Sequence, residues 1–182
     1  MDITSLAIPE VKLITPRVFF DDRGNFFESW NGAEFDAAIG GPVVFYQDNQ
    51  SVSRRNVIRG LHYQLPPNAQ GKLVRCVTGE VYDVAVDIRR ASPTFGKWVG
   101  ARLSAANRQQ LWIPEGFAHG FLALEEDSTL LYKASAPYDR AVERAIRWND
   151  PDLAIEWPLG GVPILSTKDD MAPLFADAET FA

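Results

Sequence analysis

The segment "EVYDVAVDI", residues 80 to 88, places Tyr82, Val84, Val86 and Ile88 in strict alternation with Val81, Asp83, Ala85 and Asp87. A side-chain period of two belongs to a β-strand, whose successive side chains point to opposite faces, and an α-helix does not accommodate it. The pattern predicts a sheet with one apolar and one more polar face. Just before it, Gly79 and Glu80 in "VTGEVYDV" read as the turn of a hairpin.

The same kind of segment recurs. Short apolar runs stand at "RVFF", "VVFYQDN", "NVIRGLHYQ", "KWVGARLS", "QQLWIPEG", "HGFLAL" and "TLLYKAS". Clusters of Gly, Pro, Asn and Asp separate them at intervals of about ten residues, the rhythm of a sandwich or barrel. Helical signals are few and peripheral. "AEFDAAI" is long enough for two turns, "DRAVERAI" has helical propensity, and "TKDDMAPLFADAE" reads as a capped helix starting at Thr167. No internal repeat, low-complexity tract or linker divides the chain, so the expectation is one all-β domain over residues 1–182. A chain of that length buries roughly 70 % of the surface it exposes when unfolded, and no staple is needed.

Composition narrows the function classes. The net charge of −6 is the wrong sign for non-specific binding to nucleic acid, which requires a basic excess to displace counterions from phosphates. A single cysteine, Cys76, has no partner for a disulfide, and between Val74 and Val77 it reads as a buried, inert thiol. The start, "MDITSLAIPEVKLI", lacks a basic segment followed by a long apolar one, and no apolar run reaches membrane-spanning length. The expectation is a cytoplasmic protein with no membrane association. In that setting the "NQS" at Asn49 is not a glycosylation site.

There is no Gly-rich phosphate loop, GxSxG elbow, cysteine pair or HExxH. Many small β-barrel enzymes hold a metal through two histidines two residues apart, but position 64, two after His62, is Gln64, and His119 is the only other histidine. No metal is expected. What remains is a set of polar residues inside strand-like segments, where an unpaired polar group costs free energy and requires a partner or a ligand. These are Gln47 and Asn49, Arg59 and His62, Lys72, His119, and Tyr132 beside Lys133. Gln47 and Asn49 share strand parity. Arg59 and His62 do not, so both face one pocket only if the backbone bends or bulges near Gly60. Each residue taken singly is compatible with an ordinary structural place. A histidine acting as a base needs a carboxylate to orient it, and spacing does not name that carboxylate.

The motifs "FFDDRGNFFESW", "QDNQSVS", "VIRGLHYQLPP", "QGKLVRC", "GEVYDVAVDIR", "SPTFGKW", "WIPEGFAHGFLAL", "YKASAPYDRAVERAIRWNDP" and "LSTKDDMAP" span nearly the whole chain. In order and separation they resemble the dTDP-4-dehydrorhamnose 3,5-epimerases, nucleotide-sugar isomerases with a cupin-like jelly-roll β-sandwich. The resemblance implies dTDP-4-keto-6-deoxy-glucose as substrate and no cofactor. It implies His62 as base, Asp169 as the carboxylate orienting it, Tyr132 as acid on the opposite face and Lys72 as stabiliser of the enolate. For substrate binding it implies Phe19, Arg23, Phe26, Glu28, Gln47, Asn49, Arg59, His119, Tyr138 and Glu143. It also implies a homodimer in which an amino-terminal segment reaches the partner's site.

Two departures accompany the likeness. Asn68 replaces a histidine common in the family, outside the catalytic set, and Asp170 follows Asp169 directly. A one-residue step on a helix rotates a side chain by roughly 100°, so the two cannot serve interchangeably, and the resemblance assigns the orienting role to Asp169. Other readings are an enzyme that inverts only one carbon, a binding module with a dead site, and a metal-dependent cupin.

Overall fold

In the computed structural model, which describes residues 1–182, two antiparallel sheets pack face to face. The strands are β1 (Asp2–Ser5), β2 (Lys12–Thr15), β3 (Val18–Asp21), β4 (Gly24–Phe27), β5 (Gln47–Ser53), β6 (Ile58–Gln64), β7 (Lys72–Thr78), β8 (Glu80–Asp87), β9 (Trp98–Ser104), β10 (Gln110–Ile113), β11 (Phe117–Ala123), β12 (Ser128–Ala134) and β13 (Glu143–Ala145). One sheet has the order β1-β2-β10-β7-β12-β5 and the other β13-β6-β11-β8-β9, while β3 and β4 form a separate two-stranded ribbon. This is the expected cupin-like β-sandwich. No helix is long and apolar enough to cross a membrane.

Between the sheets lies a core that takes Val74, Cys76, Leu111, Ile113 and Leu130 from the six-stranded sheet and Val81, Ala85, Val99, Leu103, Phe117 and Phe121 from the other. Burial raises the Cys76 thiol to about 11, in keeping with an inert cysteine. The outer face of the five-stranded sheet carries Leu61, Tyr63, Val84, Val86 and Ile88, covered by the carboxy-terminal segment through Ile146, Leu153 and Ala178. The alternation of residues 80–88 therefore marks two buried faces. Asp83 and Asp87, on the more polar one, are both fully buried. Burial works to raise Asp87, but hydrogen bonds from Arg89, Ser92 and Thr94 prevail and hold it at about 2.

Gly79 is a turn, but not that of a hairpin. β7 and β8 belong to different sheets, and the chain crosses the sandwich at this glycine, φ 72°. A Cβ there would stand 2.7 Å from Ser128 Oγ, so the close crossing requires glycine.

Helix α1 (Gly32–Ile39) is capped by Asn31, whose side chain accepts from the Glu34 N–H, and ends at Gly40 in the left-handed region. It buries Phe35 against Ile14, Leu73 and Trp112, worth roughly 1.5–3 kcal/mol for such a side chain. The other two helical expectations change. Within "DRAVERAI", Glu143–Ala145 becomes β13, because β6 offers an open edge and pairs Ala145 with His62. Edge pairing of that kind overrides a weak local propensity. The "TKDDMAPLFADAE" helix is a single turn, α2 (Thr167–Asp170), capped by Ser166, followed by a separate 3-10 turn at Phe175–Asp177. Pro173 cannot donate to a continuing helix.

Candidate active site

A pocket of about 270 Å³ opens between the sheets at one end of the sandwich. The five-stranded sheet supplies Arg59 and His62 from β6, His119 and Phe121 from β11, and Glu143 from β13. The six-stranded sheet supplies Ser51 from β5, Lys72 from β7 and Tyr132 from β12, and Gln64, Gln70 and Tyr138 complete the wall.

Arg59 and His62 reach one pocket through a bulge. On β11 His119 pairs with His62 and Phe121 with Arg59, so two steps on one strand match three on the other. Gly60 takes up the extra residue with φ 137°. A Cβ on Gly60 would lie 2.5 Å from the Gly120 Cα, so the two glycines let the strands approach. Arg59 is then held by Nε donating to Ser53 Oγ at 3.1 Å and by its terminal nitrogen donating to the Val52 carbonyl at 3.2 Å.

The orienting carboxylate comes from α2. Asp169 Oδ1 stands 2.6 Å from His62 Nε2 and is almost fully buried, while the imidazole remains one-third exposed. Burial pushes Asp169 upward, but the His62 hydrogen bond and charge, the Ser166 N-cap and Lys168 prevail and hold it below the usual carboxylate value. An ionised carboxylate only accepts, so Nε2 carries the hydrogen and Nδ1 is left as the basic nitrogen. Asp170, exposed on the same turn, makes no hydrogen bond to His62.

Tyr132 faces His62 from the other sheet. Burial raises its hydroxyl above the usual phenol value, with Arg59 opposing and Glu143 adding to the rise, so the group is a proton carrier at neutral pH. Lys72 is buried and forms no ion pair; desolvation lowers its ammonium to about 8, against a smaller opposing effect of Glu143. Glu143 is raised by burial, but Lys168 at 2.6 Å, the Tyr138 hydroxyl donating at 2.9 Å and the His62 charge bring it below its ordinary value.

The remaining expected residues divide in two. Gln47 and Asn49 share a face of β5, with Gln47 Nε2 donating to Asn49 Oδ1 at 2.7 Å, and Gln47 Oε1 accepts from the Tyr138 N–H at 3.0 Å beside the pocket. Phe19, Arg23, Phe26 and Glu28 lie on or just after the exposed β3–β4 ribbon, and none of them lines the pocket. Arg23 folds back on Asp21 at 2.6 Å.

Sequence reasoning passed over Ser51, Gln64, Gln70, Phe121, Asp83 and Lys168. Asp83 carried a readable signal, a carboxylate between Val81 and Ala85 on one face of an alternating strand. Gln64, at the position where a metal-binding histidine would stand, spends its amide on the loops: Nε2 donates to the Asn68 and Pro137 carbonyls and Oε1 accepts from the Asp139 N–H. Asn68 Nδ2 donates to Asp139 Oδ2 at 2.7 Å, which gives the departure at that position a structural place. No three His, Cys, Asp or Glu side chains converge into a set able to hold a metal ion.

A β-sandwich pocket with an imidazole–carboxylate pair on one wall and a phenol and a buried ammonium on the other brings together groups able to carry protons and to stabilise a negative oxygen, as in a cupin-like isomerase. The family model for dTDP-4-dehydrorhamnose 3,5-epimerase matches residues 5–177, and the chain belongs to that family. It is 59 % identical over 181 residues to the dTDP-4-dehydrorhamnose 3,5-epimerase of Pseudomonas aeruginosa, covering 100 % of this chain and 99 % of the relative. It is 57 % identical over 178 residues to that of Salmonella typhimurium, covering 98 % and 97 %. Among solved structures, the Legionella pneumophila dTDP-6-deoxy-D-glucose-3,5-epimerase in complex with dTDP-4-keto-L-rhamnose superposes with a TM-score of 0.94 at 47 % identity, over 98 % of this chain and 94 % of that one.

Proposed function

We propose that this protein inverts C3 and C5 of dTDP-4-keto-6-deoxy-glucose, without a cofactor, to give dTDP-4-keto-L-rhamnose. The carbonyl at C4 acidifies the hydrogen on each neighbouring carbon. His62 removes the proton through Nδ1, and the electron pair of the broken C–H bond moves into the carbonyl to form an enolate. The Lys72 ammonium stabilises the negative oxygen in a site where burial strengthens the interaction. Tyr132 returns a proton to the carbon from the opposite face, and exchange with water resets both groups before the second carbon reacts.

One observation carries the proposal: the base with its buried carboxylate and the acid hang from opposing sheets of a single pocket. A group bound between them presents its two faces to two different proton carriers, which inversion requires. The likeness to the Legionella enzyme supports the substrate class. Arg59 is suited to the diphosphate, since a guanidinium fork matches phosphate oxygens.

The exposed ribbon fits the same reading. Phe19 and Phe26, 51 % and 71 % exposed, have no place at their own subunit's pocket. In a homodimer the ribbon would deliver them, with Arg23 and Glu28, to the nucleotide bound by the partner. On this reading residues 1–182 act as one unit, in the cytoplasm.

The test is incubation with dTDP-4-keto-6-deoxy-glucose in deuterated water, without added metal, followed by proton NMR. Deuterium at both C3 and C5 is the expected result. Label at one carbon establishes a single-carbon epimerase, and a bound but unlabelled substrate establishes a binding module.

A further inference from the structure

Asp83 on β8 has no exposed surface. Both its carboxylate oxygens stand 3.0 Å from His119 Nε2, the only donor that reaches them. Its neighbours two positions away, Val81 and Ala85, belong to the inter-sheet core, where an apolar side chain would be the ordinary occupant. Removing a carboxylate from water is costly, and replacing a buried ion pair by apolar residues of similar volume is often neutral or stabilising. Fold stability therefore does not account for Asp83.

The arrangement repeats the one at His62. His119 and His62 are register partners on adjacent strands, and both line the pocket. Each has Nε2 bound to a buried carboxylate, Asp169 from α2 for one and Asp83 from β8 for the other. With Asp83 as the acceptor, the hydrogen of His119 sits on Nε2, and Nδ1 is the nitrogen left for a ligand.

We infer that Asp83 is a positioning residue: through Nε2 it locks the orientation and tautomer of His119, so that Nδ1 accepts a hydrogen bond from a hydroxyl of the sugar ring. This rests on the sugar-nucleotide reading above. It separates the two histidines by role, with His62 moving protons and His119 holding the ring in place for it.

The experiment compares wild type, Asp83→Asn, Asp83→Leu, His119→Ala and the double variant Asp83→Leu with His119→Ala. The readouts are kcat/KM on dTDP-4-keto-6-deoxy-glucose and Kd for dTDP, which lacks the sugar. Asp83→Leu should lower kcat/KM by about 10- to 100-fold when His119 is present and leave it unchanged when His119 is already alanine. Asp83→Asn, whose carbonyl still accepts from Nε2–H, should retain most of the turnover, and dTDP affinity should stay within about twofold in every variant. Wild-type turnover in Asp83→Leu overturns the inference. So does an equal loss in both His119 backgrounds, or a fall in dTDP affinity in step with turnover. A wild-type protein that neither binds dTDP nor turns over overturns the sugar-nucleotide reading instead.

Discussion

His62 Nε2 and Asp169 Oδ1 lie 2.6 Å apart although 107 positions separate them in the chain. The strand carrying one and the helical turn carrying the other meet because the carboxy-terminal segment folds back over the outer face of the five-stranded sheet. Ser166 caps the turn and aims Asp169 inward. His62→Ala is expected to abolish solvent exchange at both carbons while dTDP affinity stays close to wild type. Asp169→Asn is expected to lower kcat by about 100-fold or more, within the range for loss of a supported general base. Isothermal titration with dTDP beside deuterium exchange checks both, and retained exchange in His62→Ala removes it from the base role.

Tyr132→Phe separates the two proton transfers. Deprotonation by His62 should continue, so deuterium should enter from the original face while the inverted product falls by about 100-fold or more. Equal loss of exchange and product would contradict an acid on the opposite wall.

Lys72 is expected to oppose stability and support activity. Its folded value, lowered from 10.5 to about 8 by burial, corresponds to about 3 kcal/mol against the folded state wherever the ammonium is charged in both states, at pH below 8. Between pH 8 and 10.5 the unfolded chain holds more protons than the folded one, so this contribution shifts toward stability as pH rises. Activity should move the other way, falling above about pH 8 as the enolate loses its cation. Lys72→Met should therefore melt at a higher temperature below pH 8 and turn over far more slowly. Calorimetry and a pH–rate profile on the two proteins give the answer, and a lower melting temperature in Lys72→Met would contradict the burial argument.

Asp169 titrates with the opposite sign. A carboxylate held below its ordinary value contributes stability above its unfolded value, and loses it as pH falls through the folded one. Asp169→Asn should therefore be less stable than wild type near pH 6, with the difference shrinking as pH falls toward 2, measured by denaturant unfolding followed by circular dichroism across a range set by the roughly 4 of an ordinary aspartate.

Complementation reports on the ribbon. If Arg23 serves the partner's pocket, Arg23→Ala and His62→Ala, each inactive alone, should recover roughly a quarter of wild-type turnover when unfolded and refolded together, because random pairing gives half heterodimers with one intact site of two. No recovery would assign the ribbon to its own subunit.

Gly60→Ala should cost at least about 2 kcal/mol, since it places a Cβ 2.5 Å from the Gly120 backbone at φ 137°. Denaturant unfolding measures the cost. A protein of wild-type stability would show that the bulge tolerates a side chain.

The β character of this chain was legible from residues 80–88 and the evenly spaced apolar runs, because strand periodicity is a local property. Gln47, Asn49, Arg59, His62, Lys72, His119 and Tyr132 were legible as polar groups stranded in apolar segments, whereas Asp169, Tyr138 and Glu143 were named only through the family resemblance, and the need for a bend or bulge near Gly60 followed from the parity of Arg59 and His62. Which groups meet was not legible. Side-chain parity says that a residue alternates but not which face is interior, so the crossing at Gly79 looked like a hairpin and Asp83 like part of a more polar face. The carboxylate behind His62, the phenol opposite it, and the strand at Glu143–Ala145 each depend on contacts between segments distant in sequence. Their free energy arises only when both partners are buried together, and that is a property of the folded sandwich.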